Sequence, residues 1–199
     1  MTFSSELNLV IYHPYMSIFF SHRHRIVKDL RLTQISEQPF IASVAILMRP
    51  DDHICMIRRA LKEGDYWSGH MGFPGGRKDQ GDQNLMQTAI RETEEEIGVR
   101  LTSSLCIGRL DDLIHPQLQV AGFVFEAPQI ESYTLEEAEV ASVHWLPMAA
   151  FRNPDLRRTR RASYKGQPYD TPEVLIDSCD VWGLSLRFIE DLLTQLGHP

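Results

Sequence analysis

Glu92, Glu95 and Glu96 stand within five consecutive residues, in the run RETEEEIGV from Arg91 to Val99. Carboxylates one helical turn apart repel by a few tenths of a kcal/mol. The helix macrodipole also disfavours negative charge near a C-terminal end. Two chemistries fit such a cluster: a solvated acidic face, or oxygen ligands for a hard divalent cation such as Mg²⁺ or Mn²⁺. At 100° per residue, Glu92 and Glu96 share one face, Glu95 lies further round it, and Glu94 points away into solvent. Arg91 is one turn before Glu95, within reach of an ion pair. On the helix alone both chemistries stay open.

The elements that must position this cluster are legible around it. Asp82, Gln83 and Asn84 supply N-cap chemistry, Gly98 is placed to end the helix, and Met86, Ile90, Thr93 and Ile97 form the expected core stripe. Upstream, Gly75 and Gly76 permit a tight bend that can aim a carbonyl at a metal or bring backbone close to a phosphate. Strands are expected at 40–48, 53–60, 105–114, 120–128 and 139–148, with LKEGDYWSGHMGFPGG (61–76) as a loop. Residues 181–197 read as an amphipathic helix with Leu184, Phe188, Leu192 and Leu196 on one side. The order predicts a single mixed α/β domain over 41–199, preceded by an extension over 1–40 that carries His13, His22 and His24.

Composition narrows the class. The chain has 199 residues, enough for one well-cored domain, and its net charge of −7 argues against general nucleic-acid binding. A bound cation could still reverse the sign locally for a small anionic substrate. Cys55, Cys106 and Cys179 show no paired spacing, as expected of thiols in a reducing compartment. No apolar run approaches the ~20 residues that span a bilayer, and the N-terminal stretch lacks a basic n-region. A cytoplasmic protein, off the membrane and monomeric or homodimeric, is expected.

The spacing also resembles the Nudix box. That pattern runs Gly, five residues, Glu, seven residues, then Arg-Glu-hydrophobic-x-Glu-Glu-x-Gly-hydrophobic. Arg91, Glu92, Glu95, Glu96, Gly98 and Val99 match its second half in register, with Thr93 in a usually apolar slot. After Gly76 and five intervening residues stands Asp82 rather than Glu, and eight residues rather than seven separate it from Arg91. FPGG with Asp79, Asp82 and this longer spacing resembles the coenzyme A pyrophosphatase branch. That branch's upstream signature is kept at Arg59, Ala60 and Gly69. It is lost at "CMI" (55–57), in one extra residue after Ala60, and at Asp65, where an Arg is usual.

The resemblance, covering about residues 40–195, implies an α/β/α sandwich with a mixed sheet and a catalytic loop-helix-loop. It implies Mg²⁺- or Mn²⁺-dependent hydrolysis of a phosphoanhydride in a small nucleotide substrate, coenzyme A or an acyl-CoA giving 3′,5′-ADP and 4′-phosphopantetheine. Glu92 and Glu96 would be metal ligands. Glu95 would be either a further ligand or the proton acceptor, and Arg91 its orienting partner or only a helix stabiliser. Gly76 would lend its carbonyl to the metal, and Asp82 would cap the helix. Arg59, Gly75, Gly76 and Arg77 would meet the substrate, with Arg58 and His70 flanking. Glu139 is expected to be structural before it is a metal ligand or base, and the arginines of 152–166 a solvated insertion before a loop that holds an anionic substrate. Alternatives are another nucleotide substrate (an ADP-sugar, NADH, a dinucleotide or a damaged nucleotide), a Nudix-fold binding protein, and an acidic structural helix.

Overall fold

Alternation along the first strand, β1 (Ile41–Met48), sets the architecture. Ala42, Val44, Ile46 and Met48 enter one hydrophobic cluster, whereas Ala45 and Leu47 enter another. A strand with apolar residues on both faces must be covered on both sides. The computed structural model describes residues 41–115, 118–164 and 166–197, so the expected extension over 1–40 and its histidines lie outside the described residues.

Helix α1 (Leu85–Ile97) covers the face of Ala45 and Leu47 through Ala89 and Ile97, with Met86 and Ile90 partly buried beside them. Helix α2 (Gly183–Gln195) covers the other face through Leu186, Phe188, Ile189 and Leu192. The result is the expected α/β/α layering around a mixed sheet. β7 (Leu118–Glu126) runs parallel to β1 along its whole length, from Ile41↔Gln119 to Met48↔Glu126. β5 (Cys106–Arg109) and β6 (Leu113–His115) both pair antiparallel with β7.

On its other edge β1 has two partners. β2 (His53–Arg59) meets it at Met48↔Ile54 and otherwise pairs with β8 (Val140–Pro147) and β3 (Met71–Gly72). β4 (Gly75–Arg77) takes the edge of β1 at Ala42–Val44. β1 and β2 therefore diverge, and the glycine-bearing segment 71–77 fills the gap between them. That divergence opens the cleft in which the candidate site lies.

Several expectations change. The segment 105–114 is two strands, interrupted where Arg109 and Asp112 form a buried ion pair. The loop 61–76 contains β3 and the start of β4. Residues 157–182 form a second, antiparallel sheet of β9 (Arg157–Tyr164), β10 (Gln167–Ile176) and β11 (Cys179–Trp182), so the arginine-rich stretch is a strand and not a solvated insertion. Its charges hid this: Arg161 pairs with Asp170 directly across the ladder, Arg160 with Glu173 and Asp180, and Arg157 with Glu190 of α2. Among the described residues no helix is long and apolar enough to cross a membrane.

The contact between α2 and the sheet depends on a missing side chain. A Cβ on Gly122 would stand 2.7 Å from the Phe188 ring, itself buried. Gly122→Ala is expected to destabilise the fold by ~1–3 kcal/mol through overpacking. At about 2–4 °C per kcal/mol for a chain of this size, thermal denaturation reads the loss directly.

Candidate functional site

Asn84, not Asp82, caps α1: its side chain accepts from the Gln87 N–H. Asp82 lies three residues before the first helical residue, too far back to reach the free N–H groups of the first turn. Its carboxylate turns under the helix instead, accepting from the Asp79 N–H, the Thr88 hydroxyl and, through both oxygens, the Arg91 guanidinium. The Arg91 hydrogen bonds hold the Asp82 carboxyl down at about 2. At the other end Gly98 adopts left-handed φ of 72° and donates to Glu94 O, as the C-terminal role requires. Thr93 satisfies its buried hydroxyl on Ala89 O, one turn back, which lets a polar residue occupy an apolar slot.

Arg91 is thereby anchored from below and spreads its remaining donors across the site. One nitrogen meets Glu92 at 2.9 Å and Glu95 at 2.7 Å; another donates to Arg77 O at 3.1 Å. Glu96 faces the core side of the helix, 1% exposed, and accepts the Gly75 N–H at 2.8 Å. Glu92 lies against Gly76 so closely that a Cβ there would sit 2.4 Å from its carboxyl carbon. A Cβ on Gly75, with φ of 153°, would overlap Ser43 O at 2.3 Å. Bare backbone at 75–76 is what lets strand and carboxylates meet.

Gly75, Gly76, Glu92 and Glu96 line one cavity of about 520 Å³, together with Arg59, Arg77 and Glu139. Arg59 pairs with Asp65 at 3.2 Å, and its Nε is buried without a partner. Glu95 does not line this cavity; it opens toward a second depression shared with Asp82 and Arg91. Arg58 is also absent from the cavity wall. Its guanidinium is spent on Gly69 O, Ser178 O and Asp180, a structural tie in place of the ordinary surface charge expected of it. Glu139, expected to be structural, shares the cavity with Glu92 and Glu96. The sequence reading missed Trp67 and Trp182 as cavity residues. Only their large apolar rings beside Gly69 and Gly183 signalled them.

Burial pushes the Glu96 carboxyl up to about 8, opposed by the Gly75 N–H and reinforced by the charges of Glu92 and Glu139. Burial also raises Glu92, against the pull of Arg91. Negative charge here exceeds what the neighbouring groups balance, an environment suited to a divalent cation with oxygen ligands. Among the described residues no three His, Cys, Asp or Glu side chains form a ready cage. A cation would therefore draw on Glu92, Glu96, backbone oxygen and water together.

A Nudix domain is matched over residues 39–166, well over half the chain. The chain belongs to the Nudix family. Its relatives include an uncharacterized protein of Schizosaccharomyces pombe, 37% identical over 112 residues, covering 52% of this chain and 34% of the relative. An uncharacterized Nudix hydrolase, NudL, of Yersinia enterocolitica is 31% identical, covering 53% and 54%. Nudix hydrolase 3 of Caenorhabditis elegans is 28% identical, covering 85% and 78%. The chain thus spans about a third and about half the length of the first two. The fold is shared with a MutT/Nudix family protein from Enterococcus faecalis at a TM-score of 0.55, 14% identity and coverage of 94% and 70%.

The raised Glu96 gives a pH-dependent test. Between the ordinary value of 4.5 and about 8, the folded Nudix domain retains a proton that the unfolded chain has lost. Ionising Glu96 therefore costs stability progressively as pH rises through that window. With a chelator present, Glu96→Gln, which keeps an acceptor for the Gly75 N–H, is expected to melt above the wild type at pH 8. The difference should vanish near pH 4.5. Parallel melting curves across the range would contradict the assignment.

Proposed function

We propose that this Nudix domain hydrolyses a phosphoanhydride of the NDP-X type with the help of Mg²⁺ or Mn²⁺, releasing NMP and phospho-X. The observation that carries this reading is the convergence of Glu92 and Glu96 on the Gly75–Gly76 backbone, in a cavity that also presents Arg59. Glu92 and Glu96 would hold the cation, with Gly76 O and Glu95, through water, as further donors. When bound, the cation supplies charge neutralisation at the pyrophosphate and a more acidic water.

The chain's own residues do the rest. Arg59 and Arg77 draw phosphate oxygens to the cavity, and the bare backbone of Gly75 and Gly76 lets them approach closely. Arg91, held on Asp82, fixes Glu92 and Glu95 on one guanidinium nitrogen. Glu95, held by Arg91 and opening away from the cavity wall, would serve as a proton acceptor or as a ligand through water. Asp82 contributes indirectly, by anchoring the Arg91 guanidinium through both carboxylate oxygens.

The substrate we favour is coenzyme A or an acyl-CoA, cut to 3′,5′-ADP and 4′-phosphopantetheine, on the FPGG motif with Asp79 and Asp82 and on Arg59 with Ala60. A second reading keeps the reaction and changes the substrate to an ADP-sugar, NADH, another dinucleotide or a damaged nucleotide. Asp65 favours it, because it pairs with Arg59 where the signature places another Arg.

A substrate panel with Mg²⁺ or Mn²⁺ decides between them. Formation of 3′,5′-ADP from coenzyme A is expected, and its absence alongside turnover of another member selects the second reading. Glu96→Gln should lower turnover on the order of 100-fold or more, since a misplaced cation forfeits several kcal/mol of charge stabilisation. Unchanged turnover would remove Glu96 from the catalytic set.

A further inference from the structure

The cavity has an aromatic wall that the Nudix box does not supply. Trp67 and His70 stand edge to face with centroids 6.2 Å apart, and His70 meets Trp182 at 4.7 Å and 64°. All three line the same cavity as Glu92 and Glu96. Trp182 closes β11 and lies beyond residue 166, where the matched domain ends.

The wall is held rigid from behind. The Arg160 guanidinium covers Trp182 at 4.6 Å from the ring centroid and is itself fixed by Glu173 and Asp180. Arg58 bonds Gly69 O on one side and Ser178 O on the other, tying the loop that carries His70 to the turn before β11. Burial and the charge of Arg160 lower the His70 imidazole below its ordinary value, so its ring is neutral at pH 7.

Two features of this wall point to a ligand. Trp67 leaves 36% of its surface exposed, a large ring at the rim of a concave site rather than in the core. The Trp182 Nε1–H and the Arg59 Nε–H are buried without acceptors, although such donors are usually paired. Flat π surfaces on the wall of a concave site suit a planar ring.

We propose that Trp67, His70 and Trp182 form a subsite for the base of a nucleotide substrate, with Trp67 as the stacking platform. The role of the base within a cleaved substrate rests on the hydrolase reading above, but its binding requires no turnover. The β9–β11 sheet, lacking any residue of the Nudix box, thereby becomes a specificity element.

Isothermal titration tests this with adenosine 5′-monophosphate and ribose 5-phosphate, which share the phosphate and differ in the base. Neither contains an anhydride to cleave. The wild type should bind the adenosine compound more tightly by at least ~5-fold, the lower end of a single base–aromatic stack. Trp67→Leu, at a surface position, should weaken that binding by roughly 5- to 150-fold and leave ribose 5-phosphate unchanged. His70→Ala should shift it in the same direction. Equal affinity for the two probes, no binding of the adenosine compound at about 1 mM, or an unchanged affinity in Trp67→Leu would overturn the subsite. A base preference with no hydrolysis across the panel would instead sink the catalytic reading and leave the subsite standing.

Discussion

One buried contact holds the site together: the Glu96 carboxyl group accepting the Gly75 N–H between helix and strand. A carboxyl group with 1% exposure is costly to ionise, and one backbone donor only partly offsets that cost. Its position follows from the sheet. β4 replaces β2 at the edge of β1, so the segment 74–77 runs beneath α1 with one N–H free to face the helix. Glu92 and Arg91 extend the same seam, against Gly76 and Arg77 O respectively. Seam, cleft and carboxylates form one unit, and loosening any contact along it moves the others.

Arg91 shows how a surface-type residue becomes structural. Its charge is shared between Asp82 below and Glu92 and Glu95 above, so three carboxylates separated by up to thirteen residues are organised by one guanidinium. Planar donors at fixed angles can serve several acceptors at once, which a Lys ammonium does less well. The unusual spacing between Asp82 and Arg91 thereby acquires a physical meaning: it is the slack that lets an Asp reach back beneath the helix.

How much was legible depended on how local the cause was. The core strands, the glycine stop at Gly98 and the Arg91–Glu95 pair were readable because each rests on neighbours within a few residues. Asp82 was misjudged because its partner lies two turns along the helix. β9 was unreadable because its arginines look solvated until Glu173, Asp170 and Asp180 arrive from strands further along the chain. Local sequence marks Glu139 and Trp182 only weakly; each reaches the cavity because β2 pairs with β8 and β11 folds back beside β3.

The sequence by itself determined the family, the helix that bears the carboxylates and the need for glycine beside them, because register along one helix and φ beyond 0° are local properties. Only the tertiary structure decided which carboxylate is buried, which arginine faces the cavity and which aromatic rings wall it. Those outcomes depend on burial and on charges brought together from distant segments, and no spacing within one segment encodes them.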